Sequence, residues 1–276
     1  MRPSHVHSRY VSALLVAVLL ASLATAWPAS AAIYRLEDLN SVAEVDDDSS
    51  TGMSSWIADG IDNLFQQWFW IRLGDGAEQS IDTIDPDGPL ADHQDNDYDP
   101  GKESLQLRYE GAGLRIDVSL ELTGGTPGSG VSDLLEAISI HNLGDEELDL
   151  HLFQYVDFDL AGTAEDDTGE IIPPFGAIQT EGAGYRSESA DAPAPDRYEV
   201  GLSPTILDKL KDGDADDLNN SVGPITGDVS WAFQWDFVLE PEDSFIISKN
   251  KYLVVPEPYT LAILAIGLFA LRPRRK

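Results

Sequence analysis

The chain has 276 residues, no cysteine, and 49 acidic against 17 Lys and Arg side chains, a formal charge of −32. The missing cysteine excludes a disulfide framework, a cysteine-ligated zinc site and a thiol nucleophile. The charge excludes unaided nucleic-acid binding, because phosphates need a basic surface. A 42% hydrophobic composition with six Trp, nine Tyr and nine Phe supplies a core and so excludes wholesale disorder.

The first predicted element is an export signal over residues 1–32, a stretch with no acid. Arg2, His5, His7 and Arg9 form a polar start, and Tyr10 to Ala26 is an apolar run. Ala29-Ser30-Ala31 or Ser30-Ala31-Ala32 satisfies the small-x-small rule for cleavage, so signal peptidase is an expected partner. The mature chain is expected to begin near Ala32 or Ile33.

The body, residues 33–254, reads as strands. Asp59 to Phe69 suggests a short helix, and Gln67–Leu73 and Ser104–Tyr109 suggest strands. Leu114, Ile116, Val118, Leu120 and Leu122 alternate with Arg115, Asp117, Ser119 and Glu121, the signature of a half-buried strand. Ala137–His141, Leu148–Leu160 and Arg197–Leu202 follow. A helix is expected over 204–211, with Ser203 as cap and Pro204 at its first position. Val229, Trp231, Phe233, Trp235, Phe237 and Leu239 alternate with Ser230, Ala232, Gln234, Asp236 and Val238. Glu240-Pro241-Glu242-Asp243 then reads as a hairpin turn into Ser244–Val254. Short strands joined by Gly- and Pro-rich turns indicate one all-β domain, an antiparallel β-sandwich with one or two short helices.

Three constellations could carry chemistry. Asp95, Asp97 and Asp99, and again Asp212, Asp214 and Asp216, repeat acids at alternate positions, as the start of an EF-hand loop does. Such oxygens could hold Ca2+, although neither run has Gly at position six or Glu at position twelve. The bland alternative is a solvated acidic loop. Asp157 and Asp159 would share one strand face roughly 7 Å apart along the backbone, a spacing that suits a metal, a sugar clamp or a glycosidase pair. The bland alternative there is a solvent face with structural hydrogen bonds. Trp56, Trp68, Trp70, Trp231 and Trp235, with Phe65 and Phe69, could stack on sugars, but alternation puts the last two Trp beside Phe233 and Phe237 in a core. His93, His141 and His151 are scattered, and no catalytic residue is assigned.

The C-terminus has three parts in order: Pro256-Glu257-Pro258, an apolar run of 13 residues from Tyr259 to Leu271, and the basic cluster Arg272, Arg274, Arg275 and Lys276. Prolines stop the preceding fold, the run is short for a membrane span of roughly 20 residues, and the cations favour the cytoplasmic side. Residues 255–276 resemble the PEP-CTERM sorting signal of Gram-negative bacteria. That resemblance implies transient insertion in the inner membrane through 259–271 and removal of the tail by an exosortase. It implies release to, or attachment at, the cell surface or extracellular matrix, with exopolysaccharide as a partner. Six of the 17 basic residues lie at the two ends, so the 11 left in the middle face all 49 acids, a net −38. The body is thus expected to be a non-enzymatic surface or matrix protein, associated with calcium or polysaccharide. The alternative is a secreted carbohydrate-active enzyme or glycan-binding module using Asp157 and Asp159.

Overall fold

The computed structural model describes residues 32–174, 176–182 and 184–255, the stretch 184–192 by its backbone alone. The export signal up to residue 31 and the sorting segment from Pro256 onward lie outside the described residues. Among the described residues no helix is long and apolar enough to cross a membrane.

In chain order the elements are β1 (Ile33–Asp38), β2 (Ser41–Asp46), β3 (Met53–Ala58), β4 (Ile61–Asp62), β5 (Gln66–Leu73), β6 (Gln79–Ser80), β7 (Leu90–Gln94), β8 (Ser104–Gly111) and β9 (Leu114–Gly124). Then come β10 (Val131–Asn142), β11 (Leu148–Asp157), β12 (Asp167–Ile172), β13 (Gly176–Glu181), β14 (Gly184–Ala192), β15 (Arg197–Leu202), α1 (Thr205–Lys209), β16 (Ile225–Gly227), β17 (Val229–Leu239) and β18 (Ser244–Val254). They form two antiparallel sheets. The first runs β1-β2-β3-β5-β11-β17-β15, with β4 and β6 paired onto β3 and β5. The second runs β16-β12-β13-β14-β18-β10-β9-β8-β7. The antiparallel β-sandwich expected from the alternation is the fold.

The core lies between the sheets. On β9 the apolar set from Leu114 to Leu122 is buried, while Arg115, Asp117 and Ser119 stay half-exposed. In the other sheet, Trp231, Phe233 and Trp235 of β17 are buried in an aromatic row with ring centroids 5.3 and 6.0 Å apart, the first pair tilted and the second edge-on. Trp56 ties the two sheets by donating from Nε1 to Ser132 Oγ at 2.8 Å. The core also holds charge. Glu136 of β10 stands in register with Lys249 of β18, and its carboxylate accepts from Lys251, Gln67 and Gln154. Lys249 Nζ lies 3.4 Å from Glu136 Oε2 and sits over the rings of Phe69 and Trp235. All three charged side chains are buried.

Four local expectations are corrected. Asp59 to Phe69 holds β4 and the start of β5, not a helix, because its aromatic run pairs with β11 in the middle of a sheet. Glu240 to Asp243 is a tight turn, with Asp243 N donating to Glu240 O at 3.0 Å, but it is no hairpin: β17 and β18 belong to different sheets. The helix α1 is shorter than 204–211, and Ser203 does not cap it; Pro204 occupies that position with no side-chain cap bond. Finally, β17 is buried on both faces from Val229 to Trp235. Its polar face is covered because Leu218 N donates to Gln234 Oε1 and Gln234 Nε2 donates to Asp217, each at 2.9 Å.

Candidate functional site

The polar face of β9 is the floor of an open groove on the outside of the second sheet. Register builds it in rows, since antiparallel partners share a face. Arg108 of β8, Asp117 of β9, Ser139 of β10 and Ile246 of β18 form one row. Gln106, Ser119 and Ala137 form the next, with Asp92 of β7 beside Gln106. Small side chains in the centre leave room, and the groove has a volume of about 520 Å³. Leu90 and Ile246, 71% and 56% exposed, give it apolar walls. A second hollow of about 230 Å³ shares Gln106, Ser119 and Ala137 and extends the groove toward Glu121 and Leu135.

Electrostatics concentrate at Asp117. Arg108 Nε donates to its Oδ1 at 2.5 Å, Arg115 Nε pairs with Oδ2 at 3.2 Å, and His141 Nε2 stands 3.5 Å from Oδ2. Both carboxylate oxygens are therefore engaged by cationic or ring nitrogens. The bond to Asp117 raises Arg108 above its ordinary value, so the guanidinium stays charged. Burial lowers the His141 imidazole, and the neighbouring Arg115 and Arg108 lower it further against the opposing pull of Asp117. His141 shares a 2.9 Å hydrogen bond with Ser139 Oγ. The groove thus offers guanidinium donors, hydroxyls, an amide and apolar walls, with no free carboxylate paired to a proton donor at its centre.

The residues singled out from sequence lie elsewhere. Asp157 ends β11, so Asp159 stands beyond the strand and the two do not share a strand face. Asp157 is 1% exposed, so it lies on no solvent face, while the structural hydrogen bonds of that alternative are present. Its Oδ2 accepts from Tyr155 Oη at 2.8 Å and from Ser203 Oγ at 2.9 Å. That second bond is where the predicted helix cap is used. Asp159 lines a hollow of about 280 Å³ beside the exposed Phe65. The five Trp named above are all buried and form no stacking platform.

The acidic runs behave differently from each other. Asp97 meets Asp95 and Glu103 in one group and Asp38 and Asp99 in another, with oxygens within 4.8 Å. Asp38 already accepts from Gly124 N at 2.6 Å, and Glu103 from Asn96 N at 2.5 Å, so both serve to pin loops. Asp212, Asp214 and Asp216 do not converge as a trio among the described residues. Asp212 instead closes its own turn by accepting from Asp214 N at 2.9 Å. The neighbouring Asp217 binds Arg72 at 2.7 Å and Arg197 at 3.1 Å. Reasoning from the sequence missed the groove. The one signal for it was the alternation of Arg115, Asp117, Ser119 and Glu121, which marks a polar face but not its neighbours.

No family model matches the chain, and no curated protein matches it. Solved structures do. A bacterial glucoamylase complexed with acarbose superposes with a TM-score of 0.57 at 10% identity, over 83% of this chain and 32% of that one. The chain therefore spans about a third of the glucoamylase. A putative aldose 1-epimerase from Escherichia coli K12 gives 0.53 at 12% identity, over 83% of this chain and 100% of its own. A galactose mutarotase-like protein from Lactobacillus casei gives 0.51 at 8% identity, over 80% and 100%. At such identities the shared property is the fold, a large two-sheet β-sandwich.

Proposed function

We propose that the protein is an exported, non-enzymatic saccharide-binding protein of the bacterial surface or extracellular matrix, and that it binds neutral glycan in the groove over β8, β9 and β10. The observation that carries this reading is the composition of the groove. Small Ser and Ala residues floor it, Arg108 and Gln106 supply directional donors, and Leu90 and Ile246 match the apolar C–H faces of a sugar ring. Glycan-directed proteins among the structures that share the fold support it by analogy. Asp117 argues for binding over catalysis: with both oxygens engaged by Arg108 and Arg115, it is poorly placed to move a proton. The strongly acidic body repels polyanions, which favours neutral polymers.

Affinity electrophoresis of the purified body through gels containing neutral or anionic polysaccharide tests the binding. Retardation by a neutral polymer is expected, weakened about tenfold or more, about 1.4 kcal/mol, by Ala137→Trp, which fills the floor, and by Arg108→Ala. Equal retardation of both variants, or none by any neutral polymer, overturns the reading.

Delivery follows from the tripartite end at Pro256-Glu257-Pro258, the run 259–271 and the terminal basic cluster. Exosortase cleavage near the Pro-Glu-Pro places the mature body outside the cell. Intact-mass measurement on protein from the native host should find residues 261–276 gone. Their retention on most molecules overturns this part of the proposal.

A further inference from the structure

Asp157, Asp159 and Asp228 lie in three different parts of the chain's local structure: the end of β11, the turn after it, and the residue before β17. Each brings one carboxylate oxygen within 4.8 Å of the others. Three converging acids alone define no site. Here a second feature accompanies them. Asp157 is 99% buried, and while its Oδ2 is held by Tyr155 and Ser203, its Oδ1 is buried and accepts no hydrogen bond. A buried carboxylate oxygen without a partner costs free energy unless something compensates it. No Lys, Arg or His among the described residues forms an ion pair with any of the three, unlike Glu136 in the core or Asp217 on the outer layer. Burial raises all three carboxyls above their ordinary range; on Asp157 the bonds from Tyr155 and Ser203 work against it, and nearby carboxylates add to it, Asp228 and Asp159 on Asp157, Asp228 and Asp62 on Asp159, and Glu165 on Asp228.

We infer that Asp157, Asp159 and Asp228 form a calcium site that ties the end of β11 to the start of β17. The donors are all hard oxygens, which favours calcium or magnesium over transition metals. Asp159 and Asp228 are half-buried, so a cation can enter and keep water ligands on that side. Calcium tolerates such irregular, partly hydrated geometry, whereas magnesium demands a near-octahedral shell. Asp159 also lines the hollow beside Phe65, which opens this region to solvent. The site is separate from the groove over β9, so it stands or falls independently of glycan binding. It also differs from the Asp95–Asp99 run, where Asp38 and Glu103 already bind backbone amides.

The test is thermal unfolding of the EDTA-treated, dialysed protein with and without CaCl2. At calcium about 100-fold above its dissociation constant, Tm should rise by roughly 5 °C or more for a body of this size. Asp159→Asn and Asp228→Asn should abolish the rise. Asp159 makes no side-chain hydrogen bond among the described residues, so its amide variant should fold, which far-UV circular dichroism checks. Asp97→Asn/Asp99→Asn should retain the full rise. The inference is overturned by the absence of a calcium-dependent rise in the wild type, by an unchanged rise in Asp159→Asn, or by loss of the rise in the Asp97/Asp99 variant alone.

Discussion

Replacing Glu136 with Gln probes the buried charge between the sheets with almost no change in volume. Two lysines reach this carboxylate. Lys249 Nζ is 3.4 Å from Oε2, a distance at which unit charges attract by about 5 kcal/mol at an effective dielectric near 20. Lys251 donates to the same oxygen. Taking each ion out of water costs several kcal/mol, which offsets most of that gross attraction in the native protein. In Glu136→Gln the attraction to this carboxylate disappears while both lysines stay buried, Lys249 over the rings of Phe69 and Trp235. The expected loss is about 3–5 kcal/mol, against about 0.5 kcal/mol or less for Arg35→Ala, which breaks an exposed pair with Glu37. Urea titration followed by Trp fluorescence measures both, since Trp235 borders the site. A double-mutant cycle with Lys251→Met should give a coupling of about 1 kcal/mol or more. A loss below about 1 kcal/mol in Glu136→Gln, or strictly additive effects, would refute the claim that the core depends on this carboxylate.

Two further outcomes follow from acids with lowered pKa values. Asp59 accepts from Gly128 N at 2.6 Å, Gly130 N at 2.7 Å and Asn40 Nδ2 at 3.0 Å, so Asp59→Ala should cost about 1–2 kcal/mol in the same titration by leaving part-buried amides without their acceptor. Burial works to raise Asp59 and Glu136, but hydrogen bonds hold Asp59 down and the two lysines hold Glu136 down. A depressed acid stabilises above its unfolded pKa, 3.8 for Asp59 and 4.5 for Glu136, and that stabilisation is lost as pH falls through the folded value. The stability gap between wild type and each variant should therefore be constant above about pH 5 and narrow toward pH 3; a gap that widens on acidification contradicts the assignment.

Much of the fold was legible because alternation is local. In β9 and β17 the period-two pattern gives strand type and ends almost to the residue. The errors share one cause. The run Gln66–Leu73 is buried on both faces, with Trp68, Trp70, Phe69 and Ile71 split between them, so its periodicity is lost and its start reads as a helix. The turn at Glu240 to Asp243 reads as a hairpin because sequence neighbours commonly pair, yet β17 is already flanked by β11 and β15. Nothing local marks Glu136, Lys249 and Lys251 as core residues, and the register that sets Glu136 against Lys249 brings the charges together.

The candidate sites divide the same way. Asp157 and Asp159 stood out as a local pair, but Asp228 joins them from far along the chain, and nothing near Gly227-Asp228-Val229 marks it. The polar side of β9 was visible, while Arg108, Ser139 and Ile246 reach Asp117 only through three strand pairings. By itself the sequence determines the acidic middle, the absence of cysteine chemistry, the cationic ends and the strand-forming alternation, because these depend on composition or on neighbours a few residues apart. Only the tertiary structure decides which carboxylates converge, which lysines are buried and which polar face becomes a groove. Those outcomes depend on register between strands remote in sequence, and burial of the whole two-sheet core selects that register.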